Sequence, residues 1–185
     1  LQHCVALDAE HASAYANLGA VYLQLKQYDQ AKLFYQKSLA KNPHNAEIQF
    51  IYQALMQQAL PSQAPAKYIT SLFDNYAPYY DQHLQKTLRY QAPELLYAAV
   101  KPQLVSTVLN ILDLGCGTGL AGVLFRPHAS CLTGIDLSKS MLHQAQQRAC
   151  YDKLVESDVT EYLASTKATW DLLIAADLLV YFGDL

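Results

Sequence analysis

Hydrophobic and polar residues follow two different patterns on either side of residue 108. Before it, apolar residues recur every three or four positions, which is the spacing of amphipathic helices. After it, short apolar runs end in Gly or Asp and alternate with helical stretches; these runs are 108–114, 131–135, 153–155 and 171–175. Strands that alternate with helices predict a parallel sheet with helices on both faces.

One unit of 34 residues, 12–45, contains large, small and helix-ending residues in a set order. They are Tyr15, Leu18, Gly19, Tyr22, Ala31, Tyr35 and Pro43. The small residues allow two helices to pack closely, and the proline ends the second helix. The unit closely resembles the tetratricopeptide repeat.

The sequence on both sides of this unit is predicted to extend the helical part. Shifted by 34 positions, Cys4 matches Ser38 and Ala9 matches Pro43, so residues 1–11 are expected to end a preceding repeat. After residue 46, an apolar stripe predicts a helix that caps the stack. Its members are Ile48, Tyr52, Leu55 and Ala59. Two prolines among small polar residues then predict a linker at 61–65, so the repeat helices are assigned to 1–60.

The composition excludes several classes of protein. With 52% apolar and 16% charged residues, the chain has ample material for a packed core. A net charge of -3 and the absence of a Lys/Arg run argue against a nucleic-acid partner. No apolar run reaches the roughly 18 residues of a membrane helix, so no membrane partner is expected. Cys4, Cys116, Cys131 and Cys150 lack zinc-site spacing, which predicts no metal and favours a reducing, cytoplasmic setting.

A glycine-rich turn follows the first predicted strand. Residues 111–119 are Ile-Leu-Asp-Leu-Gly-Cys-Gly-Thr-Gly, and glycine allows positive φ and a close approach of the backbone to a ligand. A dinucleotide site would carry GxGxxG, but Leu120 occupies the third glycine position. The turn instead resembles motif I of class I S-adenosylmethionine-dependent methyltransferases. This resemblance implies that Gly115, Cys116, Gly117 and Gly119 face the methionine end of the cofactor, and that Asp113 approaches its amino group.

The next strands continue the resemblance. Asp136 ends the second strand 17 residues after Gly119, where a carboxylate can accept hydrogen bonds from both ribose hydroxyls. The family pattern then implies that Leu137 and Met141 cover the adenine ring. Asp158 and Val159 match the third motif, whose acid accepts from the adenine amino group.

The fourth strand and the segment before motif I bear on the methyl acceptor. The fourth strand ends in Ala-Ala-Asp177-Leu rather than Asn/Asp-Pro-Pro-Tyr, so methylation of base amines or glutamine amides is disfavoured. Asp177 is expected at the bottom of the cofactor cleft. Residues 73–84 resemble the helical lid of small-molecule methyltransferases of the ubiquinone, menaquinone and biotin pathways. Tyr76 and Tyr80, one helical turn apart, would face the cofactor sulfonium.

Each of these residues also has an ordinary structural interpretation. The glycines could form a simple strand-to-helix turn, and Asp136 or Asp158 could begin a helix. Tyr76 and Tyr80 could be core aromatics, and Tyr181 could serve packing or acceptor contact. His83 could be a general base or a surface histidine. No catalytic base is identified.

The expected fold is α/β: tetratricopeptide helices, a helical lid at 66–107, and a Rossmann-like class I methyltransferase sheet at 108–185 with strand order 3-2-1-4. The family has seven strands, which implies that the natural protein continues beyond Leu185. The expected function is S-adenosylmethionine-dependent methyl transfer to a small molecule or carrier-bound acceptor, for example a malonyl carrier, with the repeat binding a partner. A tetratricopeptide scaffold with a remnant domain and a dinucleotide oxidoreductase are the alternatives.

Overall fold

The computed structural model describes residues 11–56, 64–104 and 108–182. The chain forms two compact units that divide between residues 68 and 69. The predicted end of a preceding repeat, at 1–11, falls almost entirely outside the described residues, as do Cys4, Ala59 and most of the predicted linker at 61–65. None of the described helices combines the length and apolar character needed to cross a bilayer.

The first unit contains the helix pair that the repeat pattern predicts. Its helices are α1 (Ala12–Gln24), α2 (Tyr28–Lys41) and α3 (Ala46–Leu55). Gly19 leaves room for the ring of Tyr35, because a Cβ on this glycine would lie 2.7 Å from a ring carbon. Ile48 of α3 packs with Tyr35 and Ala31, which are almost completely buried. The small residues of the pattern therefore allow the close packing predicted for them.

The second unit is built on a four-stranded parallel sheet. Its strands are β1 (Leu109–Leu114), β2 (Ala129–Asp136), β3 (Lys153–Glu156) and β4 (Leu172–Ile174). Their order is β3-β2-β1-β4, which confirms the predicted order 3-2-1-4. Because all pairings are parallel, the carboxyl ends of the strands lie along one edge of the sheet.

Both faces of this sheet are covered. The helices of the unit are α4 (Ala66–Tyr76), α5 (Ala92–Val100), α6 (Leu120–Phe125), α7 (Lys139–Gln147) and α8 (Val159–Ser165). Ile111 packs with Phe125 of α6 on one face, and the next residue, Leu112, packs with Val159 of α8 on the other. The alternation of a strand thus divides its apolar residues between two cores.

The lid segment is divided into several short helical elements. Pro78 lies in a 3₁₀ turn, Ala77–Tyr79, directly after α4. A short turn (Tyr80–Gln82) and a π-helix (His83–Leu88) follow, and Arg89 ends the segment with φ 50°. Proline cannot continue the hydrogen-bond ladder of a helix, which accounts for the interruption.

Strand β4 is covered unequally on its two faces. Its apolar run indicates a strand buried on both faces, yet Leu173 is 54% exposed while Ile174 is buried. Among the described residues, β4 pairs with β1 alone. It therefore lies at the edge of the described sheet, where one face has less cover.

Candidate cofactor site

The glycine-rich turn joins the end of β1 to α6 and is hydrogen-bonded to the neighbouring strand, β2. The Cys116 amide donates to the carbonyl of Ile135 at 2.8 Å, and the Gly119 amide donates to the carbonyl of Cys116 at 2.8 Å. Gly115, Gly117 and Gly119 all have positive φ. At Gly117, no described atom lies within 4 Å of the position of a Cβ. Gly117 is thus the glycine whose backbone a ligand can approach.

Asp136 holds the loops that follow β1 and β2. One of its carboxylate oxygens accepts from the Gly117 amide at 2.8 Å, and the other accepts from the Ser138 amide at 2.8 Å. Burial raises the pKa of Asp136, and these two hydrogen bonds oppose that increase. The N-cap of α7 is Ser138, whose hydroxyl accepts from the Met141 amide at 3.1 Å. Since each carboxylate oxygen has two lone pairs, Asp136 can accept further bonds from a ligand.

Asp113 is buried near the end of β1. It is 1% exposed, and its carboxylate accepts from the Tyr151 hydroxyl at 2.6 Å. Burial raises the pKa of Asp113, the bond from Tyr151 opposes this effect, and the nearby Asp136 adds to it, so that the resulting pKa is about 7. Around neutral pH this carboxyl group is therefore poised between its neutral and charged forms.

A small recess of about 30 Å³, open to solvent, lies against the turn. Its wall contains Asp113, Gly117 and Thr118 from the sheet side, and Tyr80 and Tyr90 from the lid segment. The structure thus brings the motif I acid, the open glycine and one predicted lid tyrosine to one place. The convergence of a few polar groups beside an accessible backbone is typical of small-ligand sites.

The two lid tyrosines lie together despite the interrupted helix. Their ring centroids are 4.9 Å apart in an edge-to-face arrangement. The Tyr76 hydroxyl shares a hydrogen bond with Nδ1 of His83, so this histidine has a partner within the lid. Burial raises the pKa of Tyr80, and the nearby carboxylates of Asp177 and Asp136 add to this effect. Tyr80 is therefore a neutral hydroxyl that lies near both strand tips.

Asp177 follows β4 in a left-handed conformation with φ 55°. Its carboxylate is hydrogen-bonded by Tyr90, whose pKa is raised mainly by burial and further by Asp177. Tyr181 packs edge-to-face against Phe73 with ring centroids 5.5 Å apart. Asp177 and Tyr181 thus both contact the lid segment.

Two carboxylates of the lid segment reach the loops of the site. Asp74 accepts from the Ser138 hydroxyl at 2.6 Å and from the Ser140 amide at 3.1 Å. Asp81 accepts from the Thr118 hydroxyl at 2.5 Å and pairs with Arg148. Each loop is therefore held to the lid by a charged group.

The third predicted motif adopts a capping geometry. The Asp158 side chain accepts from the amides of Thr160 and Glu161 and begins α8. Val159 is buried in the core beside Leu112. The ordinary role of Asp158 as a helix cap is thus present, and adenine contact stays a prediction.

The residues after β2 have unequal exposure. Met141 is 1% exposed, so its side chain packs inside the unit. Leu137 is half-buried beside Asp136. Leu137 therefore offers more apolar surface to a ligand than Met141.

The sequence did not predict four residues of the site: Tyr90, Tyr151, Asp74 and Asp81. The Tyr151 hydroxyl contacts a residue 38 positions away, and Asp81 contacts one 37 positions away. No local spacing indicates such contacts. Asp81 follows Tyr80 within a segment already assigned to the lid, and this is the one signal that pointed toward it.

Both parts of the chain match known protein families. Residues 12–45 match the tetratricopeptide repeat family, and residues 111–185 match the methyltransferase domain family. Methyltransferase-like protein 27 of Homo sapiens is 37% identical over 106 residues, which cover 55% of this chain and 43% of that protein. A malonyl-[acyl-carrier protein] O-methyltransferase of Erwinia pyrifoliae is 29% identical over 121 residues, covering 65% of this chain and 44% of that protein.

A solved structure has a similar fold. Magnesium protoporphyrin IX methyltransferase from Synechocystis PCC 6803, with bound S-adenosylmethionine, superimposes with a TM-score of 0.50 at 20% identity. The match covers 67% of this chain and 65% of that one. The chain spans less than half the length of the curated relatives described above. Residues 111–185 thus match the methyltransferase domain family, and residues 12–45 before them match the tetratricopeptide repeat.

Proposed function

We propose that the protein transfers the methyl group of S-adenosylmethionine to a small-molecule or carrier-bound acceptor. The observation that carries the proposal is the bond between the Gly117 amide and Asp136. It joins a turn that a ligand can approach closely to a carboxylate at the tip of the neighbouring strand. In open parallel sheets, ligands bind at this carboxyl edge.

In this proposal, the site residues divide between the two ends of the cofactor. Asp136 accepts from the ribose hydroxyls, while Leu137 and Met141 lie toward the adenine ring, together with Asp158 and Val159. The turn at Gly115, Cys116, Gly117 and Gly119 faces the methionine end, where Asp113 meets the amino group. The recess beside Gly117 supports this second assignment.

The lid segment is proposed to cover the reacting methyl group. S-adenosylmethionine supplies an activated methyl on a sulfonium, which an O, N, C or S nucleophile can accept. Tyr80 lines the recess and Tyr76 packs against it, so their rings can exclude water and face a cation. Asp177 and Tyr90 lie at the border of this region and are proposed to line the acceptor side. The chain thereby contributes positioning and desolvation.

The tetratricopeptide unit is proposed to bind a protein partner, such as a carrier bearing the acceptor. Two observations support this. An open depression in the first unit has a wall of mixed polar and apolar residues, and its polar residues include Asn17, Asn42, Asn45 and Glu47. One of the similar proteins is a malonyl-[acyl-carrier protein] O-methyltransferase. The free thiols of Cys116, Cys131 and Cys150 are compatible with the cytoplasmic location that we also propose.

Titration calorimetry of the full-length protein with S-adenosylmethionine and with NAD tests the proposal. Binding of S-adenosylmethionine alone supports it. Binding of NAD alone would favour an oxidoreductase, and binding of neither would favour a scaffold. Lysate supplied with isotope-labelled S-adenosylmethionine, with and without the protein, would then identify the methylated acceptor by mass spectrometry.

A further inference from the structure

Three glycines surround the ring of Tyr151, which lies just before β3. A Cβ on Gly119 or Gly134 would lie 2.9 Å from a carbon of this ring. A Cβ on Gly122 would overlap the Tyr151 hydroxyl. The phenol therefore occupies space that three separate positions leave free, and it has little room to move.

The hydroxyl of this confined ring is directed at the motif I acid. It donates to Asp113 at 2.6 Å, and Asp113 is 1% exposed. Asp113 also contributes to the wall of the recess beside Gly117. A charged hydrogen bond to a confined donor fixes the orientation of a carboxylate. Tyr151 thus determines how Asp113 faces the recess.

Among the described residues, the groups that act on Asp113 or line the same recess carry no positive charge. Asp136 faces it from β2, Cys116 from the turn, and Cys150 from the loop before β3. Tyr80 and Tyr90 face the same recess from the lid. Burial raises the pKa of Asp113, the Tyr151 bond lowers it and Asp136 raises it, and the net result is a pKa of about 7. Without a cation, a substantial fraction of Asp113 is protonated near neutral pH.

We propose that Tyr151 is a positioning residue that holds Asp113 toward the ammonium group of the cofactor, and that ammonium binding releases a proton from Asp113 to solvent. This inference rests on the proposed function. In this step the carboxylic acid of Asp113 loses its proton to water and the ammonium group keeps its protons. The carboxylate and the ammonium group then form an ion pair. Cofactor binding is therefore coupled to pH through a group that is separate from the methyl transfer.

Calorimetry of the full-length wild-type protein measures this coupling directly. S-adenosylhomocysteine carries the ammonium group, and 5′-methylthioadenosine lacks it. In two buffers of different ionisation enthalpy near pH 6.5, S-adenosylhomocysteine should release close to one proton and methylthioadenosine none. Below the pKa of Asp113, affinity for S-adenosylhomocysteine should fall by up to about tenfold per pH unit. Equal proton release with both nucleosides, or none with either, would overturn the inference.

The variant Tyr151→Phe removes the hydroxyl and keeps the ring. Because the bond lowers the pKa of Asp113, its loss should move the acid limb of the affinity profile to higher pH. Affinity for S-adenosylhomocysteine near neutral pH should fall roughly tenfold, with methylthioadenosine unaffected. The matched control is Tyr97→Phe, which removes a hydroxyl bonded to Nε2 of His128 at 3.0 Å, outside the recess. It should change neither profile.

The outcomes separate the two proposals. A Tyr151→Phe profile identical to wild type, or an equal loss for both nucleosides, would show that Tyr151 only supports packing. If this variant does not fold, the number of protons that the wild-type protein releases on binding tests the proposal. A wild-type protein that binds neither nucleoside would overturn the proposed function itself.

Discussion

Asp136 is expected to bind the cofactor and also to hold the loops that follow β1 and β2. Replacing it with Ala removes the acceptor for the Gly117 and Ser138 amides and for any ribose hydroxyl. A lost bond to a charged group costs about 1.5–3 kcal/mol, so affinity for S-adenosylmethionine should fall at least about tenfold. Calorimetry measures the affinity, and circular dichroism checks that the fold is kept.

The control for Asp136→Ala is Asp152→Ala, at the residue directly before β3. Asp152 likewise accepts from a backbone amide, that of Leu132, at 2.8 Å. Its loss should lower stability without changing the affinity for the cofactor. A folded Asp136→Ala protein with unchanged affinity would restrict Asp136 to holding the loops.

Two glycine substitutions are expected to differ in their effects, one acting on packing and the other on the approach of the ligand. Gly122→Ala places a methyl group against Tyr151 and should lower the free energy of unfolding by about 1–3 kcal/mol. Gly117→Ala meets no described atom but requires φ near 51°, which costs about 1–2 kcal/mol. Cofactor affinity should fall at Gly117 because its methyl group would face the ligand. Denaturant melts and calorimetry on both variants test this; a Gly117→Ala protein with full affinity would contradict the proposed approach.

At residue scale, the sequence predicted the parts of the site that follow one another along the chain. The glycine turn, Asp113 and Asp136 have local spacing that indicates a strand tip and its loop. Asp158 shows the limit of this reasoning, because an Asp that follows a strand can also cap the next helix, as Asp158 does. Tyr151 could not be predicted, because the pocket for its ring exists only after three distant glycines come together.

At the scale of elements, the lid is held to the sheet loops by Asp81 and Arg148. Asp81→Asn weakens the ion pair and the bond from Thr118, which should reduce cofactor affinity by roughly fivefold, or about 1 kcal/mol. High salt should reduce the difference between variant and wild type, because the pair is partly exposed. Calorimetry at two salt concentrations, with limited proteolysis of the lid, measures both effects.

A double-mutant cycle with Arg148→Gln isolates the coupling between the two residues. Asp152→Asn serves as the control, since Asp152 pairs with Arg126 at similar exposure. That control should leave cofactor affinity and lid proteolysis unchanged. Additive effects of Asp81→Asn and Arg148→Gln would contradict the role of their pairing.

The elements themselves were largely predictable, with two exceptions. Runs of β-type apolar residues ending in Gly or Asp marked the strands, and the order of the sheet followed from the family pattern. The lid was predicted as helical, but Pro78 divides it into a 3₁₀ turn and a π-helix. The apolar run of β4 alone predicts burial of Leu173, which is 54% exposed because β4 lies at the edge of the described sheet.

At the scale of the whole molecule, the edge of β4 is where we expect chains to associate with one another. Leu173 is 54% exposed, and Leu179 and Val180 nearby are also exposed. Unpaired strand edges with apolar residues promote pairing between chains. The 185-residue chain should therefore associate in a concentration-dependent way, and Leu173→Lys should reduce this association. Light scattering over a range of concentrations tests it; a monomeric wild-type chain would contradict the prediction.

The burial of Cys116 has a consequence for covalent labelling. Its thiol is 6% exposed beside the recess, and burial raises its pKa well above the usual range. Since the thiolate is the reactive form, an alkylating reagent should modify Cys116 only while the lid and turn are open. The partly exposed Cys131 should react sooner, and provides an internal reference. The rate of Cys116 alkylation, followed by peptide mass spectrometry, should thus report how often the recess opens, and a bound nucleoside should slow it.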